Sequence, residues 1–101
     1  MKVNLKISSI HFDADRKLLD FIQDRVDKLG QFYDKIIDGD VILKIDNNNT
    51  GENKIAEIKL SVPGNDIFAK KQSKSFEEAT DSAVEALRRQ LKKHKEKLNN
   101  V

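Results

Sequence analysis

A strict alternation of apolar and polar side chains in the middle of the chain constrains its fold more than any other feature. The apolar positions are Ala56, Ile58, Leu60 and Val62, and polar residues fill the positions between them. Successive side chains of a strand point to opposite faces, so the segment predicts a strand with one apolar and one wet face. Pro63 and Gly64 follow and predict a tight turn, because Pro fixes φ and Gly accepts positive φ.

Three other short segments predict strands. Apolar residues alternate from Val3 to Ile7 and again over residues 41–46, and residues 67–71 predict a short fourth strand after the Pro-Gly turn. Residues 38–40, Asp-Gly-Asp, predict a turn before the second strand. Residues 47–53 have nothing to bury and predict an exposed loop before the third strand.

Two longer segments repeat at helical spacing instead. The first runs from about residue 15 to the low thirties, and either Asp13 or Asp15 is positioned to cap it. The second runs to about residue 98, and Ser75 with Glu78 fits a capping box, Ser73 being the alternative cap. Its apolar stripe comprises Phe76, Thr80, Ala83, Leu87, Leu91 and Leu98.

The order β-α-β-β-β-α predicts an α+β fold. Strands two to four are joined by short connections and should pair antiparallel, and each strand has one polar face. We therefore predict a four-stranded sheet with both helices packed side by side on one face. The 101 residues suit a single domain, 1–101, with its own core and no disulfide, since the chain has no cysteine.

Positive charge is concentrated at the C-terminal end of the chain. Residues 1–65 hold ten basic and eleven acidic side chains, whereas residues 66–101 hold nine and six. Residues 88–97 alone contain six basic residues and one acid, Glu96. The pattern indicates a surface that faces a polyanion. The alternative interpretation is a solvated helix end that interacts favourably with the helix dipole.

A helical projection places basic residues on both helices. One flank of the first helix carries Lys17, Phe21, Arg25, Lys28 and Phe32, and the far side carries Asp20, Asp24, Asp27 and Asp34. The second helix has one outer row of Arg88, Lys92 and Lys95 and another of Arg89 and Lys93. Neighbouring helices would then border a cationic groove that suits a phosphate backbone. Ion pairs along the first helix, such as Asp24–Lys28, are the alternative, and Phe21 and Phe32 either pack or stack on bases.

No arrangement of residues indicates catalysis. His11 and His94 are far apart, and the chain has no cysteine nucleophile, no phosphate-binding glycine loop and no metal-ligand spacing. We therefore expect neither an enzyme nor a cofactor, metal or small-molecule substrate. No apolar run approaches the roughly 20 residues of a membrane span, and the N-terminus lacks the apolar core of a signal peptide. These patterns predict a cytoplasmic protein.

Three segments together resemble a known family: residues 25–34 at the end of the first helix, 41–45 in the second strand, and 87–98 in the basic run. The chain resembles, over essentially its whole length, the ribosome hibernation-promoting factors and ribosome-associated inhibitors, also called the sigma-54 modulation family. The resemblance implies an architecture like that of a double-stranded-RNA-binding domain. It also implies binding in the tRNA and mRNA channel of the small ribosomal subunit, and inhibition of translation by steric occlusion.

The residues that match the family's RNA-binding positions lie on both helices. The resemblance implies RNA contacts by Arg25, Lys28, Arg89 and Lys93, with Arg88, Lys92, Lys95 and Lys97 extending the same surface. Ala86 stands where the family often has Lys, and Lys74 stands where it favours an acid. The short chain resembles the short hibernation type, without a C-terminal dimerisation domain and monomeric off the ribosome.

The expected partner is therefore the small ribosomal subunit with its rRNA, and no membrane. Two other functions stay open on the sequence: a generic double-stranded-RNA-binding module, and a protein–protein regulator. A membrane-surface helix ranks below these, because the sheet needs the apolar stripe of the second helix. The sequence also leaves open whether ribosomes are paired into dimers or held singly.

Overall fold

The computed structural model describes residues 2–46 and 51–99, with side chains up to residue 96. Within these ranges the chain forms four strands and two helices in the predicted order. They are β1 (Leu5–Ser9), α1 (Arg16–Phe32), β2 (Asp38–Ile45), β3 (Lys54–Val62), β4 (Asn65–Ser73) and α2 (Phe76–Asn99). Residues 47–50 of the predicted loop, and the side chains of Lys97 and Leu98, lie outside the described part.

The four strands form one mixed sheet in the order β1-β2-β3-β4. β1 pairs parallel with β2, and the connection between them is α1. The other two pairings are antiparallel, with Ile58 of β3 opposite Val41 of β2 and Ala69 of β4. β4 begins directly after the predicted Pro63-Gly64 turn, where Gly64 has φ +79°, and it is longer than the sequence predicts.

The core lies between one face of the sheet and both helices, which confirms the predicted one-sided coverage. The strands and helices contribute fully buried side chains, namely Val41, Leu43, Ala56, Ile58, Leu60, Ile22, Val26, Leu87 and Leu91. α1 and α2 lie side by side and run in the same direction, because Arg25 contacts Asp81 and Phe32 contacts Arg88 further along. Within the described residues, no helix is long and apolar enough to cross a membrane.

The opposite face of the sheet is open and electrically balanced. Ion pairs join Lys44 to Glu57, with 2.6 Å between Nζ and Oε2, and Lys59 to Asp66 at 3.6 Å. Phe68 is half exposed beside them. The pairing of opposite charges on this face makes it unlike the strongly basic surface of α2.

The predicted turn at residues 38–40 is wrong, because these residues begin β2. Gly39 pairs with Leu5 of β1 on one side and with Leu60 of β3 on the other. A Cβ at this position would lie 2.7 Å from a methyl group of each leucine. The glycine is therefore a packing requirement inside the sheet, and the chain turns earlier, at Asp34 and Lys35.

Carboxylates fix the start of α1 and the segment before β1. Asp15 is the N-cap, since its Oδ1 accepts a 2.8 Å hydrogen bond from the Leu18 N–H. Asp27 accepts a hydrogen bond of the same length from the Val3 N–H, and Gln23 donates to the Val3 carbonyl. Asp27 is therefore a half-buried structural residue that ties α1 to the N-terminal segment, and the exposed far-side position predicted for it is wrong.

Candidate nucleic-acid interface

The C-terminal half of α2 presents five exposed cations around its outer surface. We call them the α2 basic surface: Arg88, Arg89, Lys92, Lys93 and Lys95. Leu87 and Leu91 are fully buried against the sheet and fix the rotation of the helix, so these basic side chains face outwards. The predicted orientation of α2 is thereby confirmed.

The N-terminal end of α2 carries a capping residue and acids, and the basic residues lie towards its other end. Ser75 Oγ accepts a 3.1 Å hydrogen bond from the Glu78 N–H, so Ser75 caps the helix as predicted. Glu77 and Glu78 lie in the first turn, where their negative charges interact favourably with the positive end of the helix dipole. Basic residues near the other end also interact favourably with that dipole, so the charge distribution stabilises the helix as well as forming a surface.

Few carboxylates offset the α2 basic surface. Arg89 Nε lies 3.9 Å from Glu85 Oε1, and both side chains are largely exposed. Among the residues that the structure describes, no acid lies within ion-pair distance of Arg88, Lys92, Lys93 or Lys95. A surface with several unpaired cations attracts phosphate groups, because each contact releases a counterion from the polyanion.

The side of the α2 basic surface that faces α1 contains an aromatic ring. The Arg88 guanidinium lies 5.3 Å from the centroid of Phe32, and Lys95 Nζ lies 5.4 Å from it. The Arg25 guanidinium similarly lies 4.3 Å from the ring of Phe21. Both rings therefore contact cations of this chain, which positions these side chains. Stacking of either ring on a base stays a prediction.

The other side of the α2 basic surface borders an open cleft of about 690 Å³ beside the β3–β4 turn. Lys93, His94 and Gln90 line it from α2, and residues 63–67 line it from the turn and β4. The ring of His94 also packs edge-on against the buried Tyr33, at 5.7 Å between centroids. His94 thus packs against the residue that follows α1.

Gln90 is a site residue that sequence reasoning missed. Its Nε2 donates a 2.8 Å hydrogen bond to the Phe68 carbonyl, and its Oε1 accepts one of 3.3 Å from the Phe68 N–H. The side chain thus occupies the outward backbone groups of Phe68 on the edge strand β4, as a neighbouring strand would. It also fixes α2 against the sheet. The one indication of this role in the sequence is an uncharged amide within a run of cations.

The two basic residues predicted on α1 are arranged differently from those on α2. Arg25 forms ion pairs with Asp24 and with Asp81 of α2, and Lys28 Nζ lies 3.6 Å from Asp24 Oδ2. The predicted position of Asp24 on the far side of α1 is therefore wrong, because Asp24 pairs with both of these bases. The alternative of an Asp24–Lys28 ion pair is confirmed. The two helices do lie side by side, but the α1 edge of the groove is neutralised.

Groups that would suggest metal chemistry do not come together in the described residues. No three His, Asp or Glu side chains within residues 2–46 and 51–99 are arranged to hold a metal ion. His11 lies in the bend after β1, with φ +65°, away from the packed position of His94 on α2.

Comparison with known proteins places this architecture in a family. The model of the sigma 54 modulation protein / S30EA ribosomal protein family matches residues 5–99. The chain belongs to this family. The match spans all six elements, including the basic half of α2, so the predicted resemblance is confirmed.

Similar family members carry names that refer to ribosomes. A Pseudomonas putida protein named ribosome hibernation promoting factor is 33% identical over 101 residues, covering 100% of this chain and 93% of the relative. A Klebsiella oxytoca protein of the same name is 31% identical over 96 residues, covering 95% of this chain and 97% of the relative. Each match covers nearly the whole of this chain.

Solved structures confirm the fold. A ribosomal subunit interface protein from Coxiella burnetii superposes with a TM-score of 0.81, covering 92% of this chain and 98% of the other. The N-terminal domain of Protein Y from Thermus thermophilus gives 0.76, covering 93% and 99%. Each is 20% identical to this chain, so the fold is retained although most side chains differ.

Proposed function

We propose that this protein is a ribosome hibernation factor of the cytoplasm. It binds the small ribosomal subunit in the channel for tRNA and mRNA and inhibits translation by occupying that space. The observation that carries the proposal is the α2 basic surface, on a chain whose family relatives are named for ribosome hibernation. It acts as a monomer and performs no covalent chemistry.

The proposed recognition relies on phosphate contacts and shape. Arg88, Arg89, Lys92, Lys93 and Lys95 engage rRNA phosphates from one helical surface, which fixes the position of the domain without reading the sequence. Folded RNA is recognised largely through its shape and backbone, which suits a rigid two-layer domain with a single basic side. The balanced charges of the open sheet face support an orientation in which that face points away from RNA.

The first experiment is co-sedimentation of the purified protein with separated ribosomal subunits at several salt concentrations, with long duplex RNA as competitor. We expect selective pelleting with the small subunit and a steep loss of binding as salt rises. Equal capture by the duplex would instead indicate a generic double-stranded-RNA-binding module. Binding with little salt response would indicate a protein–protein regulator.

A double substitution tests which surface binds. Arg89→Ala with Lys93→Ala removes two exposed charges from α2, and we expect weaker binding and a salt slope that flattens by about 1.5 units. Lys6→Ala with Lys70→Ala is the matched control, because it removes the same charge from exposed positions on the open sheet face. Equal weakening by the two pairs would contradict the assignment to α2.

Inhibition is measured separately, by adding the same variants to a cell-free translation reaction. We expect the loss of inhibition to follow the loss of subunit binding across the variants, because occlusion requires occupancy. A variant that binds normally but no longer inhibits would exclude simple occlusion. Sedimentation profiles of whole ribosomes in the same samples distinguish dimers from single particles.

A further inference from the structure

Arg25 on α1 is held by two carboxylates of this protein and by an aromatic ring. Its Nε donates a 2.9 Å hydrogen bond to Asp81 Oδ1, and its Nη1 donates one of 2.8 Å to Asp24 Oδ2. The guanidinium carbon lies over the Phe21 ring, 4.3 Å from its centroid. The side chain is only 31% exposed, against 73% for Arg89 on α2.

Four side chains make this edge electrically neutral. Asp24, Arg25, Lys28 and Asp81 form what we call the α1 charge cluster, in which Asp24 Oδ2 is shared between both cations. Two acids offset two bases within one network. The Arg25–Asp81 pair bridges the two helices across 56 positions of sequence, so the cluster exists only in the folded chain.

We propose that the α1 charge cluster masks Arg25 and Lys28, so that RNA phosphates are engaged by the α2 basic surface and not by these two residues. Two carboxylates form the mask: Asp24 comes from α1 itself, and Asp81 is supplied by α2. The inference rests on the proposed function and narrows its binding surface from two helix edges to one. Asp81 therefore limits the affinity of the domain for a polyanion.

The physical reason is that Arg25 would exchange a carboxylate partner for an equivalent phosphate partner. A guanidinium–phosphate contact and a guanidinium–carboxylate contact are both charge-assisted hydrogen bonds. Arg25 gains little by leaving Asp81 for a phosphate, and the freed Asp81 would then repel that phosphate. The cations of the α2 basic surface face no such exchange, apart from Arg89 with its distant Glu85 partner.

A double-mutant cycle on Arg25 and Asp81 tests this mask. Binding to purified small subunits is measured at several salt concentrations for the native chain, Arg25→Ala, Asp81→Ala and the double variant. We expect less than a twofold change for Arg25→Ala alone. We expect Asp81→Ala to tighten binding roughly threefold to tenfold and to steepen the salt slope by up to about one unit, for one added phosphate contact. The gain should disappear in the double variant.

The matched control is Asp38→Ala, which removes one exposed acid from the first residue of β2. It should tighten binding less than Asp81→Ala does, because it frees no cation. Asp81→Asn, which keeps the size of the side chain, replaces Asp81→Ala if thermal unfolding shows that the alanine variant is not folded. Asp81 is more than half exposed, so neither change disturbs the core.

Three results would overturn the mask. Arg25→Ala alone could weaken binding fivefold or more, which would mean that Arg25 already contacts RNA. The gain from Asp81→Ala could be absent, or it could persist undiminished in the double variant and reflect general repulsion. If the native chain does not bind the small subunit, the proposed function fails. The mask can then still be tested by measuring the salt concentration at which each of the four proteins elutes from heparin.

Discussion

Gly39 offers a test of the packing that only the structure reveals. The substitution Gly39→Ala adds one methyl group between β1 and β3, at 2.7 Å from Leu5 Cδ2 and from Leu60 Cδ2 and 3.2 Å from the Lys59 carbonyl oxygen. Leu5 is half buried and has room to move. Leu60 is fully buried and does not, so the new methyl group forces a shift in the core.

The expected cost follows from two opposing effects. Overpacking a well-filled core costs about 1–3 kcal/mol, and replacing Gly by Ala in a strand recovers about 0.5–1 kcal/mol of unfolded-state entropy. The backbone of Gly39 is not in the positive-φ region, so no conformational penalty is added. The middle values of these two ranges leave a net loss of about 1 kcal/mol, and each kcal/mol lowers Tm by about 4–8 °C.

Urea unfolding followed by circular dichroism measures this loss as a lower midpoint with an unchanged slope. Gly64→Ala is the contrasting control, since no atom crowds that position and the cost comes from φ +79° instead. Leu5→Ala in the same background should reduce the cost of Gly39→Ala without abolishing it, because Leu60 still blocks the methyl group. A Gly39→Ala protein as stable as the native chain, or no coupling to Leu5, would refute this account of the packing.

Two further predictions concern polar groups near α2. Gln90→Ala should lower stability by about 1 kcal/mol, because it removes both hydrogen bonds to the Phe68 backbone, and it should increase self-association by freeing the β4 edge. Chemical unfolding and sedimentation velocity measure the two effects, and a variant unchanged in both would contradict the proposed edge protection. Thr80→Val should leave stability unchanged or raise it by up to about 1 kcal/mol, since the fully buried Thr80 hydroxyl has no hydrogen-bond partner among the described residues. A loss above about 1 kcal/mol in the same unfolding assay would indicate that the hydroxyl is bonded.

Most of the secondary structure and the face of each element were predictable because they depend on local spacing. Alternation in β3 and the three-to-four-residue repeat in α2 each specify which side chains face the core, whatever the partner element is. The caps at Asp15 and Ser75 are equally local, since each involves an amide three residues away. The prediction failed at Gly39, because a glycine between two aspartates resembles a turn. The close packing of Gly39 against the neighbouring strands cannot be recognised from the residues beside it in the sequence.

The candidate site divides in the same way. The sequence by itself determined the α2 basic surface, because exposed positions on an amphipathic helix follow from its buried stripe. Only the tertiary structure decided which cations are paired, since the Arg25–Asp81 contact joins residues 56 positions apart. It also decided that Gln90 covers the β4 edge, since the Gln90–Phe68 contact joins residues 22 positions apart. Charge in a sequence can be counted residue by residue, but its neutralisation depends on distances that exist only after the helices pack.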